Sequence, residues 1–162
     1  MNGISAWSTF LATEAGASAA LAGLIFVAIS INVEKIIEYR GVAARAAEAL
    51  ALLIGVLLIS TLGLAPNQPE KLLGVEILAI GAFLWLMTVT LQAREIRGRG
   101  RPWWWLASRS FLSQCATLPF CIGGILLARG HADGMYWLIP GCVFTFLAST
   151  ISAWVLLIEI LR

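Results

Sequence analysis

The sequence predicts an all-α integral membrane bundle of five transmembrane helices, and three observations carry that prediction. Of the 162 residues, 60% are hydrophobic and only 12% charged, where soluble domains carry roughly 25% charged residues; the mean hydropathy is +0.89. The apolar residues gather into five runs, at about 10–33, 43–65, 71–93, 106–129 and 135–160, each near the ~20 residues that a helix needs to cross ~30 Å of hydrocarbon. None shows the strict alternation or the ~10-residue length of a barrel strand, and lipid admits only structures that satisfy their backbone groups internally, so the runs are helices.

The first run follows MNGISAWSTFLAT, which has no Lys or Arg ahead of the apolar core, so no signal cleavage is expected. Within it Ala15, Ala19 and Gly23, and Gly16 with Ala20, recur at four-residue spacing. Small residues in that pattern let two helix backbones approach closely in lipid, and a packing face is the favoured reading. A second stripe runs Glu14, Ser18, Leu21, Ile25, Ile29, Asn32, acidic at one end and amide at the other, with Lys35 just beyond. Such a stripe suits a channel lining or a helix buried against its neighbours.

The second run, RAAEALALLIGVLLIS and onward, reads as a plain span. The third opens after Pro69 and contains Glu76. Ionisable groups inside a membrane cost about 2.5–3.5 kcal/mol on insertion scales, so Glu14 and Glu76 each need an explanation. Glu14 comes seven residues after Trp7, and Glu76 seven after Pro69, which puts both on the order of 10 Å inside the same boundary. If their helices are neighbours, two carboxylates at one level form a cation site or a proton-sharing pair. The favoured reading is plainer, with Glu14 ending among headgroups and Glu76 paired with Lys71 or Arg129.

The fourth run contains Ser110, Ser113, Gln114, Thr117 and Pro119. The proline removes the amide that would bond the Cys115 carbonyl, and a freed carbonyl beside hydroxyl and amide groups is either a polar ligand site or a routine kink satisfied by nearby Ser and Thr. The kink is favoured. In the fifth run Thr145, Ser149 and Ser152 share a face expected to meet another helix. Cys121 and Cys142 lie equally far from the turn at Gly130–Gly134 and are expected at similar depth, with no disulfide required.

Of the Lys and Arg residues, nine fall in the two longer connections or at their helix ends and at the C-terminus, against Lys71 and Arg129 on the opposite side. That imbalance orients the chain N-terminus out and C-terminus in. Trp7, Tyr136 and Trp137 then mark the outer interface, and Tyr39 with Trp103, Trp104 and Trp105 the inner one. The triple Trp beside RGRGRP reads as an interfacial anchor with some preference for anionic headgroups.

These features narrow the function classes. A net charge of +2 gives no reason to invoke nucleic acid. With His131 the sole histidine and Asp133 the sole aspartate, neither a transition-metal site nor a Ser, Cys or paired-aspartate protease fits the chain. No phosphate-binding glycine loop is present, so no catalytic residue or cofactor is expected. The connections are too short for a soluble domain, leaving one transmembrane domain over 1–162.

The opening AWSTFLATEAGASAALAGLIFVAISINV, with RAAEALALLIGVLLIS after it, resembles a group of small uncharacterised bacterial multi-pass proteins, some catalogued as modulators of the membrane protease FtsH. The resemblance covers about a third of the chain and implies a bacterial inner-membrane protein without activity of its own. The shorter run Ser18–Ala28, SAALAGLIFVA, is similar to the pore helix of Orai calcium channels, with Gly23 and Val27 matching a glycine and a valine there. The departures are that family's filter glutamate, which would fall on Ile31, the presence of five helices where four are expected, and the opposite orientation. Two functions are therefore expected from the sequence. The first is a non-enzymatic accessory or regulatory partner of another membrane protein, a membrane protease being one candidate, in a bundle also expected to form homo-oligomers through its small-residue faces; the alternative is a homo-oligomeric ion or proton channel, or small transporter, lined by the first helix.

Overall fold

Each apolar run forms a helix in the computed structural model, which describes residues 6–31, 33, 40–98 and 103–161, with side chains described for 6–31, 33, 43–94 and 110–154. The helices are α1 (Ser8–Ile31), α2 (Arg40–Gly63), α3 (Glu70–Gly98), α4 (Trp103–Ala128) and α5 (Leu138–Leu161). All five are long and apolar enough to cross a membrane. The chain is a multi-pass helical membrane protein. Asn32, Lys35, Tyr39, Arg99, Arg101 and Arg162 lie outside the described residues, as do the side chains of Arg40, Arg97, Trp103, Trp104, Trp105 and Arg109.

The expected and observed boundaries agree to within a few residues, and the differences have local causes. α2 stops at Gly63, where Leu64 N–H still donates to the Ser60 carbonyl and Ala65 N–H to that of Leu62. Pro66 and a left-handed Asn67 (φ 57°) turn the chain, Asn being one of the few residues that tolerate that region. α3 starts after Pro69 with Glu70 in its first turn, where a carboxylate faces the positive helix end. α4 closes on Gly130 at φ 86°, with Gly130 N–H donating to Leu127 and His131 N–H to Leu126, the paired bonds of a Schellman cap. The run expected from 135 begins instead as a 3-10 turn, Ala132–Trp137, which packs on α4 before α5 takes over.

α2 packs on α3 and on α5, and α4 packs on the same two helices, so α2 to α5 close a four-helix ring. α1 lies outside that ring, laid along α2 with a smaller contact on α5. Only Leu11, Ser18 and Ile25 of α1 are buried. α3 and α4 approach backbone to backbone: a Cβ on Gly124 would sit 2.6 Å from Leu78 N and 2.9 Å from the Gly74 carbonyl oxygen. Only glycine admits that approach, the close-packing device of membrane helices.

The ring interior is divided along its axis. Toward the short turns, Val56, Ile59, Leu73, Ile77, Phe120, Leu127, Leu138 and Cys142 form one apolar cluster with Leu11 and Met135. Toward the opposite, basic end, the buried side chains include Arg45, Glu48, Thr88, Gln92, Ser113, Thr117 and Ser149. Trp7 meets Tyr136 edge to face at 4.9 Å, so two of the aromatic residues expected at one interface do share one end of the bundle.

Candidate functional site

The buried polar half centres on Glu48 of α2, 5% exposed, with Gln92 of α3 and Ser113 of α4, 5% and 3% exposed. Ser113 Oγ donates to Glu48 Oε1 at 2.7 Å. Gln92 Nε2 donates to the same oxygen at 2.9 Å and to Ser113 Oγ at 2.9 Å. The two amide hydrogens and the hydroxyl hydrogen are thereby all used within the triangle. Antiparallel packing brings the three to one level: Glu48 is eight residues into α2, Gln92 six residues before the end of α3, and Ser113 ten residues into α4. One carboxylate oxygen thus ties three helices of the ring together.

Polar neighbours extend this node. Thr117 Oγ1 donates to the Ser113 carbonyl at 2.9 Å, and Thr88 Oγ1 to that of Trp85 at 2.9 Å. Trp85 Nε1 donates to Gln114 Oε1 at 2.6 Å, a second link between α3 and α4. Ser149 Oγ reaches the Ala49 carbonyl at 3.3 Å, joining α5 to α2. Of the polar kink expected around Gln114, Thr117 and Pro119, the first two make these bonds, and the helix runs unbroken through Pro119.

The two carboxylates singled out by sequence have separate surroundings. Glu76 Oε2 accepts a hydrogen bond from Gln68 Nε2 in the α2–α3 turn. Glu14 lies at the seam between α1 and α5, with the Cys142 thiol within hydrogen-bonding reach of its carboxyl. Its Oε2 is buried without a partner, and so is Thr145 Oγ1, one turn from Cys142 on α5.

Of the stripe Glu14, Ser18, Leu21, Ile25, Ile29 and Asn32, all but Asn32 lie among the described residues, and the apolar members face inward. Ile25 packs with Ala49 and Leu53 of α2, and Leu21, Ala22 and Ile29 join Phe146 and Ala153 of α5 around them. The small-residue face points the other way. Gly16, Ala19, Ala20 and Gly23 are exposed, and a Cβ on Gly16 or Gly23 would meet nothing within 4 Å.

Cys115, Cys121 and Cys142 are free thiols. Among the described residues no three His, Cys, Asp or Glu side chains come together in a way that could hold a metal ion.

Glu48 and Gln92 are the site residues that sequence reasoning passes over. The signal was present: Glu48 falls inside the second apolar run as Glu76 falls inside the third, and it follows Arg45 by three residues, one helical turn. Counting Arg45 with the basic connection hides its acidic neighbour.

Compared with known protein families, curated proteins and solved structures, the chain matches none.

Proposed function

We propose that this protein is a non-enzymatic, multi-pass protein of a bacterial inner membrane that works by binding another integral membrane protein through α1, as an accessory or regulatory partner. The observation that carries the reading is the position of α1. Only 11% of its span is buried, against 33–56% for the other four, and the exposed part includes Gly16, Ala19, Ala20 and Gly23. A helix facing only lipid gains nothing from a flat small-residue face, whereas such a face lets a partner backbone come close and collect van der Waals contact. The ring behind it, locked by Glu48, Gln92 and Ser113, serves as a rigid mount. The basic end, where Arg45 and Arg94 lie, faces the cytoplasm on the charge rule.

The alternative, a homo-oligomeric channel lined by α1, has weaker support. The stripe it would use, Ser18, Leu21, Ile25 and Ile29, is the face on which α1 packs against α2 and α5.

Extraction in mild detergent tests the proposal, comparing the wild type with an Ala19→Leu/Gly23→Leu variant. Both positions are exposed, so the variant should keep its fold and thermal stability while losing its membrane-protein partner. Recovery of the wild type alone as a monomer, or an undiminished complex in the variant, would contradict it. Recovery only as a homomer that carries ions in liposomes would favour the channel.

A further inference from the structure

On the outward side of the α3–α4 seam an amide is left half used in the middle of the membrane. Gln114 Oε1 accepts from Trp85 Nε1 at 2.6 Å. Gln114 Nε2 donates to no group among the described residues, whereas Gln92 Nε2, in the ring interior, uses both of its hydrogens. The Trp85–Gln114 bond is exposed, and so are Phe111 and Leu118, three residues before Gln114 and four after it on α4. Trp85 lies nine residues before Arg94, and Gln114 eleven beyond the first residue of α4, distances of about 13 and 16 Å along the helix axes. The opposite ends of both helices are farther still. Water and lipid ester groups do not reach that depth, so an amide hydrogen facing hydrocarbon there bears the full cost of its lost hydration. Whatever covers it must bring a polar acceptor to mid-membrane.

We propose that this face of α4 is a dimerisation surface, on which Gln114 pairs with Gln114 of a second copy of the chain. The free groups of the amide select a second copy because they complement themselves. Oε1 has two lone pairs, of which the indole takes one; the other is left to accept while Nε2 is left to donate. Two such amides face to face exchange two N–H···O bonds. The charge rule gives every copy the same orientation in the membrane, so a two-fold axis along the membrane normal sets each residue against itself at its own depth. A different protein would have to present an acceptor of its own at that level. The Trp85 indole holds the amide in place, and interhelical bonds of this kind join helices in lipid. Phe111 and Leu118, 70% and 43% exposed, flank the amide on the same side of the helix and supply apolar contact on either side of it. α1 takes no part, so this surface and the partner-binding face of α1 stand or fall separately.

The test is the monomer–dimer equilibrium of the full chain in vesicles of neutral phosphatidylcholine, read by Förster transfer between donor- and acceptor-labelled copies as the protein-to-lipid ratio is varied. The wild type should dimerise. Gln114→Leu, similar in size and without the amide, should raise the dissociation constant about tenfold, the equivalent of one lost polar contact between membrane helices. That variant also loses the bond to Trp85, so a second measurement locates the face with the amide intact. A photoreactive residue at position 118, one turn from Gln114, should crosslink two copies, and one at Leu58, exposed on α2, should not. A wild type that stays monomeric at every ratio would overturn the proposal, as would an undiminished dimer in Gln114→Leu, or crosslinked dimers from position 58 with none from position 118.

Discussion

At Glu48 a single carboxylate oxygen accepts from both Gln92 and Ser113, so the loss of either donor is felt through the same atom. Hydrogen bonds to charged groups are worth about 1.5–3 kcal/mol, and stranding the acceptor adds its desolvation cost. Ser113→Ala and Gln92→Leu should each lower unfolding stability in detergent by about 1–3 kcal/mol, and the double variant should depart from additivity by about 0.5–3 kcal/mol. Strict additivity would show that the two donors act independently. Glu48→Gln should cost less than Glu48→Leu, because the amide oxygen still accepts from Ser113. The same residue shows where a sequence stops being informative. Glu48 lies near the end of a span and one turn from Arg45, which reads as headgroup-level charge; its burial follows only from antiparallel neighbours that bring Gln92 and Ser113 to its level. Glu14 and Glu76 are no deeper in their runs but stand out more plainly, because no Lys or Arg lies one turn before them, yet their partners Cys142 and Gln68 are set by packing that no spacing rule encodes.

At the scale of the elements, glycines separate the helix pairs that touch at the backbone from the helix that does not. Gly124→Ala should destabilise the bundle by about 1–3 kcal/mol, the usual cost of overpacking, because its Cβ would press on the Leu78 backbone of α3. Gly23→Ala, in open space, should change stability by less than about 0.5 kcal/mol. Thermal or denaturant unfolding of the two variants side by side measures the contrast. Gly130→Ala should cost about 1–2 kcal/mol, since its φ of 86° is unfavourable for any residue with a Cβ. The existence and approximate extent of all five helices were legible, because long uncharged runs have one stable answer in lipid. The assignment of faces on α1 was not. A helix apolar on every side has no preferred direction, so the stripe Ser18, Leu21, Ile25, Ile29 and the stripe Ala15, Ala19, Gly23 compete on equal terms until α2 and α5 select the first.

The whole molecule is a closed ring of four helices with one helix on its flank. The ring closes on itself: its interior is filled by the apolar cluster around Phe120 at one end and tied by the Glu48 triangle at the other. α1 is the part left open, with its inward stripe spent on the ring and its small residues turned out. Site-specific photocrosslinking in the native membrane measures this most directly, with the photoreactive residue placed at Ala19 on the exposed face of α1 or at Leu118, 43% exposed on α4. A discrete adduct with another protein from position 19, with position 118 labelling only lipid and a second copy of the chain, is the predicted result. Lipid adducts alone from both positions would contradict the assignment of α1 as the docking helix.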